Sequence, residues 1–278
     1  MTVDVEDYFH VSAFENTIDK SDWNNLPLRV ERNTYRLLAL FEKHNVKSTF
    51  FTLGWVAKRC PNLIKTIVEQ GHELASHGFS HQRATEMTQK EFFADVEQSK
   101  GILEDLSGEK IIGYRAPSFS INDTNTWVYD VLLKLDFQYS SSTYPISHDL
   151  YGVPSWPRFS YIRDESTENK KLIEIPIPTL HKNDVNTGIG GGGYFRLYPY
   201  WLSKNRIDKF HQQEQKPYSF YFHPWEIDPQ QPRVKEAPLK SKFRHYINLS
   251  RMEGKLERLL KDYQWNTMKS VYLDSEIK

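Results

Sequence analysis

The residues best suited to chemistry are two histidines, His77 and His81, in the segment GHELASHGFSH at positions 71–81. The start of this segment is typical of a strand, so the histidines are expected at a strand-to-helix junction. Two imidazoles four residues apart can reach one divalent cation, and zinc favours nitrogen ligands combined with a carboxylate. The spacing fits equally well two hydrogen-bonded surface histidines.

Two carboxylates lie close together at the start of the chain. The segment TVDVE at positions 2–6 has the alternation of a strand, which places Asp4 and Glu6 on one face and Val3 and Val5 on the other. Two inward carboxylates are costly unless a cation or hydrogen-bond donors compensate them. The acids need a positive partner and the histidines need a third ligand, which favours a metal site.

Three further polar segments follow expected strands. GYRAPS at 113–118 places Arg115 at a strand end, and SSSTYP at 140–145 is a polar transition from strand to loop. FYFHPWE at 220–226 places His223 at another strand end, with Trp225 two residues later.

Hydrophobic periodicity predicts the elements that position these residues. Strands and helices alternate, which favours parallel βα units in a barrel or a doubly wound sheet. We expect loops at 145–168 and 188–193. The second is not a phosphate-binding loop, because it lacks the Lys-Ser/Thr ending. The predicted strands are 2–6, 47–53, 72–77, 111–115, 172–176 and 219–223, with a closing strand at 268–273; the predicted helices are 29–44, 61–70, 88–106, 125–135, 196–210 and 241–263.

Composition narrows the function classes. The 278 residues contain 36 basic and 36 acidic side chains, and this balance argues against nucleic acid or an anionic membrane as the main partner. The single cysteine, Cys60, excludes an intrachain disulfide and a cysteine-based zinc site. No apolar stretch is long enough for a membrane span and the first residues do not form a secretory signal, so we expect a cytoplasmic protein without stable membrane insertion. The oligomeric state cannot be read from the sequence.

Taken in order, these segments resemble the polysaccharide deacetylase family with the NodB homology domain. The DVEDYF start and the HPWE motif are most similar to the branch associated with exopolysaccharide and exosortase loci. The resemblance implies an α/β fold, an irregular (β/α) barrel with seven strands expected, in a single domain spanning residues 1–278. Family-specific loops and helices are expected from about residue 185.

The resemblance also implies roles for the residues at the motif positions. His77 and His81 match the metal-binding histidines. For the remaining motif residues, the resemblance implies that Asp4 is the catalytic base and that Arg115 orients this base. It also implies that the backbone N–H of Ser118 is the oxyanion donor and that His223 is the catalytic acid.

The first motif departs from the common family pattern. Many members have two adjacent aspartates there, the second of which binds the metal, whereas Val5 follows Asp4 in this chain. Strand alternation makes Glu6 the natural replacement, and Asp7 is the alternative if the strand ends in a bulge.

The implied reaction is the metal-dependent removal of acetyl groups from N-acetylhexosamine units of a polysaccharide or its precursor. The cofactor is a divalent metal, with Zn²⁺ expected, and the partner is an N-acetylated glycan. Tyr194, Arg196 and Trp225 are the candidate substrate contacts. Two alternatives remain: an amidohydrolase that acts on a non-sugar amide such as a ureide, and a glycan-binding module without catalysis.

Overall fold

The computed structural model describes residues 1–149, 151–165 and 171–274. In these ranges the strands are β1 Thr2–Val5, β2 Thr49–Thr52, β3 Glu73–Ser76, β4 Gly113–Tyr114, β5 Tyr139–Ser140, β6 Tyr161–Glu165, β7 Lys171–Glu174, β8 Thr179–Lys182, β9 Val185–Gly188 and β10 Tyr221–Phe222. The helices are α1 Val30–Lys43, α2 Gly54–Arg59, α3 Pro61–Glu69, α4 Gln89–Ser107, α5 Trp127–Lys134, α6 Gly192–Leu197, α7 Tyr200–Glu214, α8 Leu239–Tyr246, α9 Leu249–Asp262 and α10 Met268–Tyr272.

Eight of these strands form one sheet, in the order β10-β1-β2-β3-β4-β5-β7-β6. Neighbouring strands are parallel, except that β6 runs antiparallel to β7 at one edge. The seven parallel strands confirm the expected α/β barrel type of fold. The barrel is open, because β10 and β6 stand at opposite ends of the sheet order, and the sheet is a curled half-barrel.

Both halves of the chain contribute to this sheet. Strands β1 to β5 come from the first half, and β10 returns from the second half to pair with β1, where Val3 is opposite Phe222. Every residue of β1 and β2 is buried, including the polar ones. Burial on both faces is typical of parallel strands covered by helices, and it requires partners for each polar side chain inside the half-barrel.

The helix signals in the first half of the sequence are confirmed. Helix α4 begins with the capping box in which the Thr88 hydroxyl accepts from the backbone N–H of Glu91 and the Glu91 carboxylate accepts from that of Thr88. Its C-cap is Gly108, whose positive φ of 71° is the left-handed conformation that glycine adopts most easily.

Several predictions for the second half are wrong. The predicted closing strand at 268–273 is helix α10, whose first turn is capped by the hydroxyl of Thr267; five residues cannot distinguish helical from strand periodicity. The predicted single helix at 241–263 is two helices, α8 and α9, because Asn248 between them is left-handed. Strand β6 lies within the predicted loop 145–168, of which 150 and 166–168 lie outside the described residues. The predicted loop 188–193 is shorter than expected, because β9 ends at Gly188 and α6 begins at Gly192, which leaves residues 189–191 between them.

None of the helices in the described part of the chain is long and apolar enough to cross a membrane.

Candidate metal centre and active site

Four polar residues of the site stand one position after a parallel strand. His77 follows β3, Arg115 follows β4, Ser141 follows β5 and His223 follows β10. The strands are in register at these points, as the pairing of Ser76 with the last residue of β4 shows. The carboxyl ends of parallel strands meet at one edge, so the register alone gathers these side chains at the mouth of the half-barrel.

Glu6, His77 and His81 form the one group in the described ranges that has the ligand geometry of a metal site. One side-chain ligand atom from each lies within 4.8 Å of the other two. The Oε2 atom of Glu6 lies 2.6 Å from Nε2 of His81, within ion-pair distance, so these two candidate ligand atoms face each other. Two imidazole nitrogens and one carboxylate oxygen are the ligand set of catalytic zinc sites that keep an open position.

Hydrogen bonding prepares His77 for this role. Its Nδ1 lies 2.8 Å from the backbone carbonyl oxygen of Arg115, which can only accept, so Nδ1 donates and Nε2 keeps its lone pair. Burial lowers the pKa of His77 to about 4, so the ring is neutral at physiological pH. A neutral imidazole with an anchored Nδ1 is the form that binds a divalent metal.

The turn that contains His81 is fixed by helix α4. Asp95 accepts hydrogen bonds from the backbone N–H groups of Phe79 and Ser80, at 2.7 and 3.1 Å, and from the Ser80 hydroxyl at 2.6 Å. His81 itself has a left-handed φ of 51°. Such a conformation is unusual for histidine and persists where the surroundings enforce it, often at functional sites. Asp95 was not predicted from the sequence.

The acidic member of the group is Glu6 and not Asp7. Burial raises the pKa of Glu6, but His81 and His223 outweigh this effect and hold it well below the usual range. The Asp7 carboxylate instead accepts from the backbone N–H groups of Arg29 and Val30 at the start of helix α1, and from that of the adjacent Tyr8. The structure therefore gives Asp7 a capping position and leaves Glu6 beside the histidines.

Asp4 is held by Arg115 across the interior of the half-barrel. Nη1 of Arg115 donates to Oδ1 of Asp4 at 2.6 Å and to the Thr2 hydroxyl at 2.9 Å. The guanidinium also donates through Nε and Nη2 to the carbonyl and hydroxyl oxygens of Ser141, and lies 4.0 Å from the ring centroid of Phe51. Strands β1 and β4 are three positions apart in the sheet, so this contact requires the curvature of the sheet and the length of an arginine.

His223 faces both acids. Its Nε2 lies 4.0 Å from Oδ2 of Asp4 and 3.5 Å from Oε1 of Glu6, while Nδ1 lies 2.8 Å from Oε1 of Glu226. Burial lowers the pKa of His223, but Glu6, Glu226 and Asp4 together outweigh this and raise it to about 9. A histidine held in its protonated form is suited to donate a proton.

Glu226 and Arg196 form a buried pair behind His223. Oε2 of Glu226 lies 2.7 Å from Nε of Arg196, which also donates to the backbone carbonyls of Arg244, His245 and Ile247. Arg196 was predicted to contact the substrate, but it is only 2% exposed. Its side chain supports His223 through Glu226 instead. The spacing of three residues between His223 and Glu226, after a proline, is the signal that could have identified this acid.

Trp225 is also buried where a substrate contact was expected. It is 5% exposed and lies between His223 and His245, with ring centroids 5.2 and 4.1 Å away in nearly parallel planes. Its indole N–H donates to Oε1 of Glu6 at 3.3 Å. This side chain packs under the site and contacts a candidate metal ligand, and it has no face free for a sugar ring.

Tyr194, the third candidate substrate contact, is exposed. It lies in α6 and stacks on Tyr198, with ring centroids 6.0 Å apart and planes within 8°. The preceding Gly192 allows α6 to approach the site, because a Cβ there would lie 2.4 Å from the carboxylate oxygens of Glu226. Tyr194 therefore remains available to a ligand.

Ser118 lies in a strained turn beside the first motif. Its φ is 55°, and Phe119 after it is also left-handed at 49°. The Ser118 hydroxyl lies 2.6 Å from that of Ser12, which follows the first motif. The turn is therefore tied to the segment that follows Asp4 and Glu6.

Two family models divide the chain between them. Residues 17–139 match the family described as polysaccharide deacetylase, and residues 141–273 match one described as a domain of unknown function (DUF3473). The two matches adjoin at the end of β5, yet strands from both lie in the same sheet.

Curated relatives match parts of the chain. A peptidoglycan deacetylase from Helicobacter pylori is 31% identical over 141 residues, which cover 50% of this chain and 47% of the relative. A peptidoglycan-N-acetylglucosamine deacetylase from Bacillus cereus is 35% identical over 75 residues, 27% of each protein. The chain thus covers about half or less of the length of these relatives.

Solved structures extend the likeness to nearly the whole fold. A Mycobacterium smegmatis protein named as a "putative polysaccharide deacetylase" aligns with a TM-score of 0.62 at 18% identity, covering 98% of this chain and 87% of that one. The PuuE allantoinase aligns with a TM-score of 0.55 at 19% identity, covering 84% and 68%. At these identities the likeness shows the fold alone.

Proposed function

We propose that this chain, whose residues 17–139 match the family described as polysaccharide deacetylase, hydrolyses N-acetyl groups on N-acetylhexosamine units of a glycan and releases acetate. The observation that carries the proposal is the gathering of Glu6, His77 and His81 within 4.8 Å, with Arg115-bound Asp4 and His223 beside them. A metal-ligand set, an ionisable carboxylate and a proton donor are the groups that metal-assisted amide hydrolysis requires.

Glu6, His77 and His81 would hold the divalent cation, and Zn²⁺ is the ion that best suits two imidazoles and one carboxylate. Such a cation, when bound, lowers the pKa of a water towards about 7 and polarises the amide carbonyl. The His77 bond to the Arg115 carbonyl would keep this ligand in place through the reaction.

Asp4 removes the proton from the attacking water. Its Oδ1 is occupied by Arg115, which leaves Oδ2, on the side of His223, as the atom that takes the proton. The backbone N–H of Ser118 donates to the oxygen on which negative charge develops, in the role that the family resemblance assigns to it.

His223 then donates its proton to the leaving nitrogen, so that the carbon–nitrogen bond breaks and acetate and a free amino sugar result. Glu226 and Arg196 keep the ring oriented for this step. The relatives named as peptidoglycan deacetylases support an N-acetylated glycan as substrate. The DVEDYF start and the HPWE motif favour an exopolysaccharide or its precursor as the specific glycan.

Acetate release from N-acetylglucosamine oligosaccharides, compared with ring opening of an allantoin-type cyclic ureide to its carboxylate, tests the proposal. Wild type should release acetate, and Asp4→Asn should lower kcat by about 10²–10⁴-fold without loss of metal. Asp184→Asn, in the exposed turn between β8 and β9, is the matched control and should keep full activity. Hydrolysis of the ureide alone, or an active Asp4→Asn variant, would contradict the proposal.

A further inference from the structure

Helix α8 exposes two large apolar side chains on one face. Leu239 is 81% exposed and Phe243 is 59% exposed. They are four residues apart and therefore adjacent on the helix surface. The opposite face of α8 is buried through His245, so the helix is amphipathic with an apolar strip on its outer side.

Basic side chains border this strip. At 100° per residue, Lys240 and Arg244 lie on one side of Leu239 and Phe243, and Lys242 lies on the other. The segment 233–244 contains five basic residues and one acidic residue, in a chain whose total charge is zero. The balanced composition therefore conceals a local concentration of positive charge around an apolar strip.

Helix α8 packs behind the site described above. On the inner face of α8, His245 stacks on Trp225, which donates to Glu6. On its outer side, Lys240 and Arg244 pair with Asp149 at 3.1 and 3.3 Å. The outer face of α8 is thus connected to Glu6 only through His245 and Trp225.

We propose that the outer face of α8 docks on the surface of an anionic lipid bilayer, with Leu239 and Phe243 inserted between headgroups and the flanking basic residues on the lipid phosphates. A short basic helix with an apolar strip is the combination that binds at membrane interfaces without crossing them. This revises the expectation from net charge that an anionic membrane is not a partner, and it leaves the expectation of no stable insertion intact. It does not depend on the proposed deacetylase activity.

An acidic glycan is the other polyanion that these basic side chains could attract. The apolar strip favours the lipid bilayer over the glycan. Leu239 is aliphatic and the most exposed of the large apolar residues in the described ranges. Sugar rings are bound by aromatic platforms, whereas an exposed leucine gains free energy from entry into a hydrocarbon environment.

Co-sedimentation with vesicles tests this docking. The probes are phosphatidylcholine vesicles, alone and with about one third phosphatidylglycerol. Wild type should partition at least about tenfold more strongly onto the anionic vesicles, and the excess should disappear when salt is raised from about 0.05 to 0.5 M. Leu239→Ser/Phe243→Ser should lose at least about tenfold of this binding because the apolar contribution is removed.

Ile162→Ser/Val185→Ser is the matched control, since these residues are 49% and 61% exposed on β6 and β9. It should bind vesicles like wild type, and circular dichroism melting curves should show that both double variants are folded. The proposal would be overturned by no preference for anionic vesicles, by unchanged binding of the α8 variant, or by binding to soluble hyaluronan but not to vesicles. A wild-type dimer that the α8 variant converts to monomer would likewise overturn it, because the strip would then face a second copy.

Discussion

The Nδ1 atom of His77 lies 2.8 Å from the backbone carbonyl oxygen of Arg115, whose side chain holds Asp4 at 2.6 Å. One residue therefore orients a candidate metal ligand through its main chain and the candidate base through its side chain. Arg115 is fully buried, and its guanidinium donates to four oxygen atoms. The metal ligand and the base are thus fixed relative to each other without direct contact.

This division makes the two functions of Arg115 separable. Arg115→Lys keeps the carbonyl that binds His77 but cannot reproduce the planar set of donors to Asp4, Thr2 and Ser141. We expect metal content to remain and kcat to fall by about 10²-fold, because a misplaced base is costly for proton transfer. Activity and metal content of the same preparation measure both effects.

Arg158→Lys is the control for this substitution, because Arg158 also donates to side-chain and backbone oxygens but lies away from the site. It should have the same kcat as wild type. Full activity of Arg115→Lys, or loss of metal with a folded protein, would refute the separation of roles.

Glu226 should control the protonation of His223. Glu226→Gln removes a negative charge that raises the pKa of His223, so that pKa falls. His223 must be protonated to act as the acid. As the pH rises, activity should therefore begin to fall at a lower pH than in wild type, so the alkaline limb of the kcat profile shifts to lower pH. The pH dependence of kcat between about pH 6 and 10 measures the shift.

Glu253→Gln is the control for the loss of a carboxylate, because Glu253 forms a partly exposed ion pair with Arg36. Its pH profile of kcat should match that of wild type. An alkaline limb that stays in place or rises in Glu226→Gln would exclude this role for Glu226.

Two adjacent glycines test the packing of α6 on the site. A Cβ on Gly192 would lie 2.4 Å from both carboxylate oxygens of Glu226, whereas a Cβ on Gly193 has no atom within 4 Å. Gly192→Ala should displace Glu226, lower kcat and destabilise the protein by about 1–3 kcal/mol. Gly193→Ala should be neutral or stabilise it by up to about 1 kcal/mol, since alanine favours a helix.

Thermal or urea unfolding together with kcat distinguishes these two glycine variants. Equal effects of both substitutions would show that the space around α6 does not constrain Glu226.

The sequence predicted those parts of the site that depend on local pattern. Strand alternation placed Asp4 and Glu6 on one face, and parallel strand ends gathered His77, Arg115 and His223, because register at the edge of a sheet follows from the element order. The choice between Glu6 and Asp7 needed the structure, since it depends on the start of α1, some twenty residues further along the chain.

The parts that were missed or misplaced depend on contacts between distant segments. Arg196 and Glu226 are thirty residues apart in sequence and meet only because α6 packs beside β10. Trp225 was predicted as a sugar platform, and the sequence contains no sign of His245, which stacks on its ring. A tryptophan or arginine near a motif suits surface and core alike until its neighbours are known.

The metal content of purified protein tests the central claim most directly. Moles of divalent metal per chain should be measured for wild type, Glu6→Gln and Asp7→Asn after saturation with zinc and removal of the excess. We predict about one metal in wild type and in Asp7→Asn, and almost none in folded Glu6→Gln, because only Glu6 joins His77 and His81. Retention of metal by Glu6→Gln with its loss from Asp7→Asn, or no metal in wild type, would contradict the account.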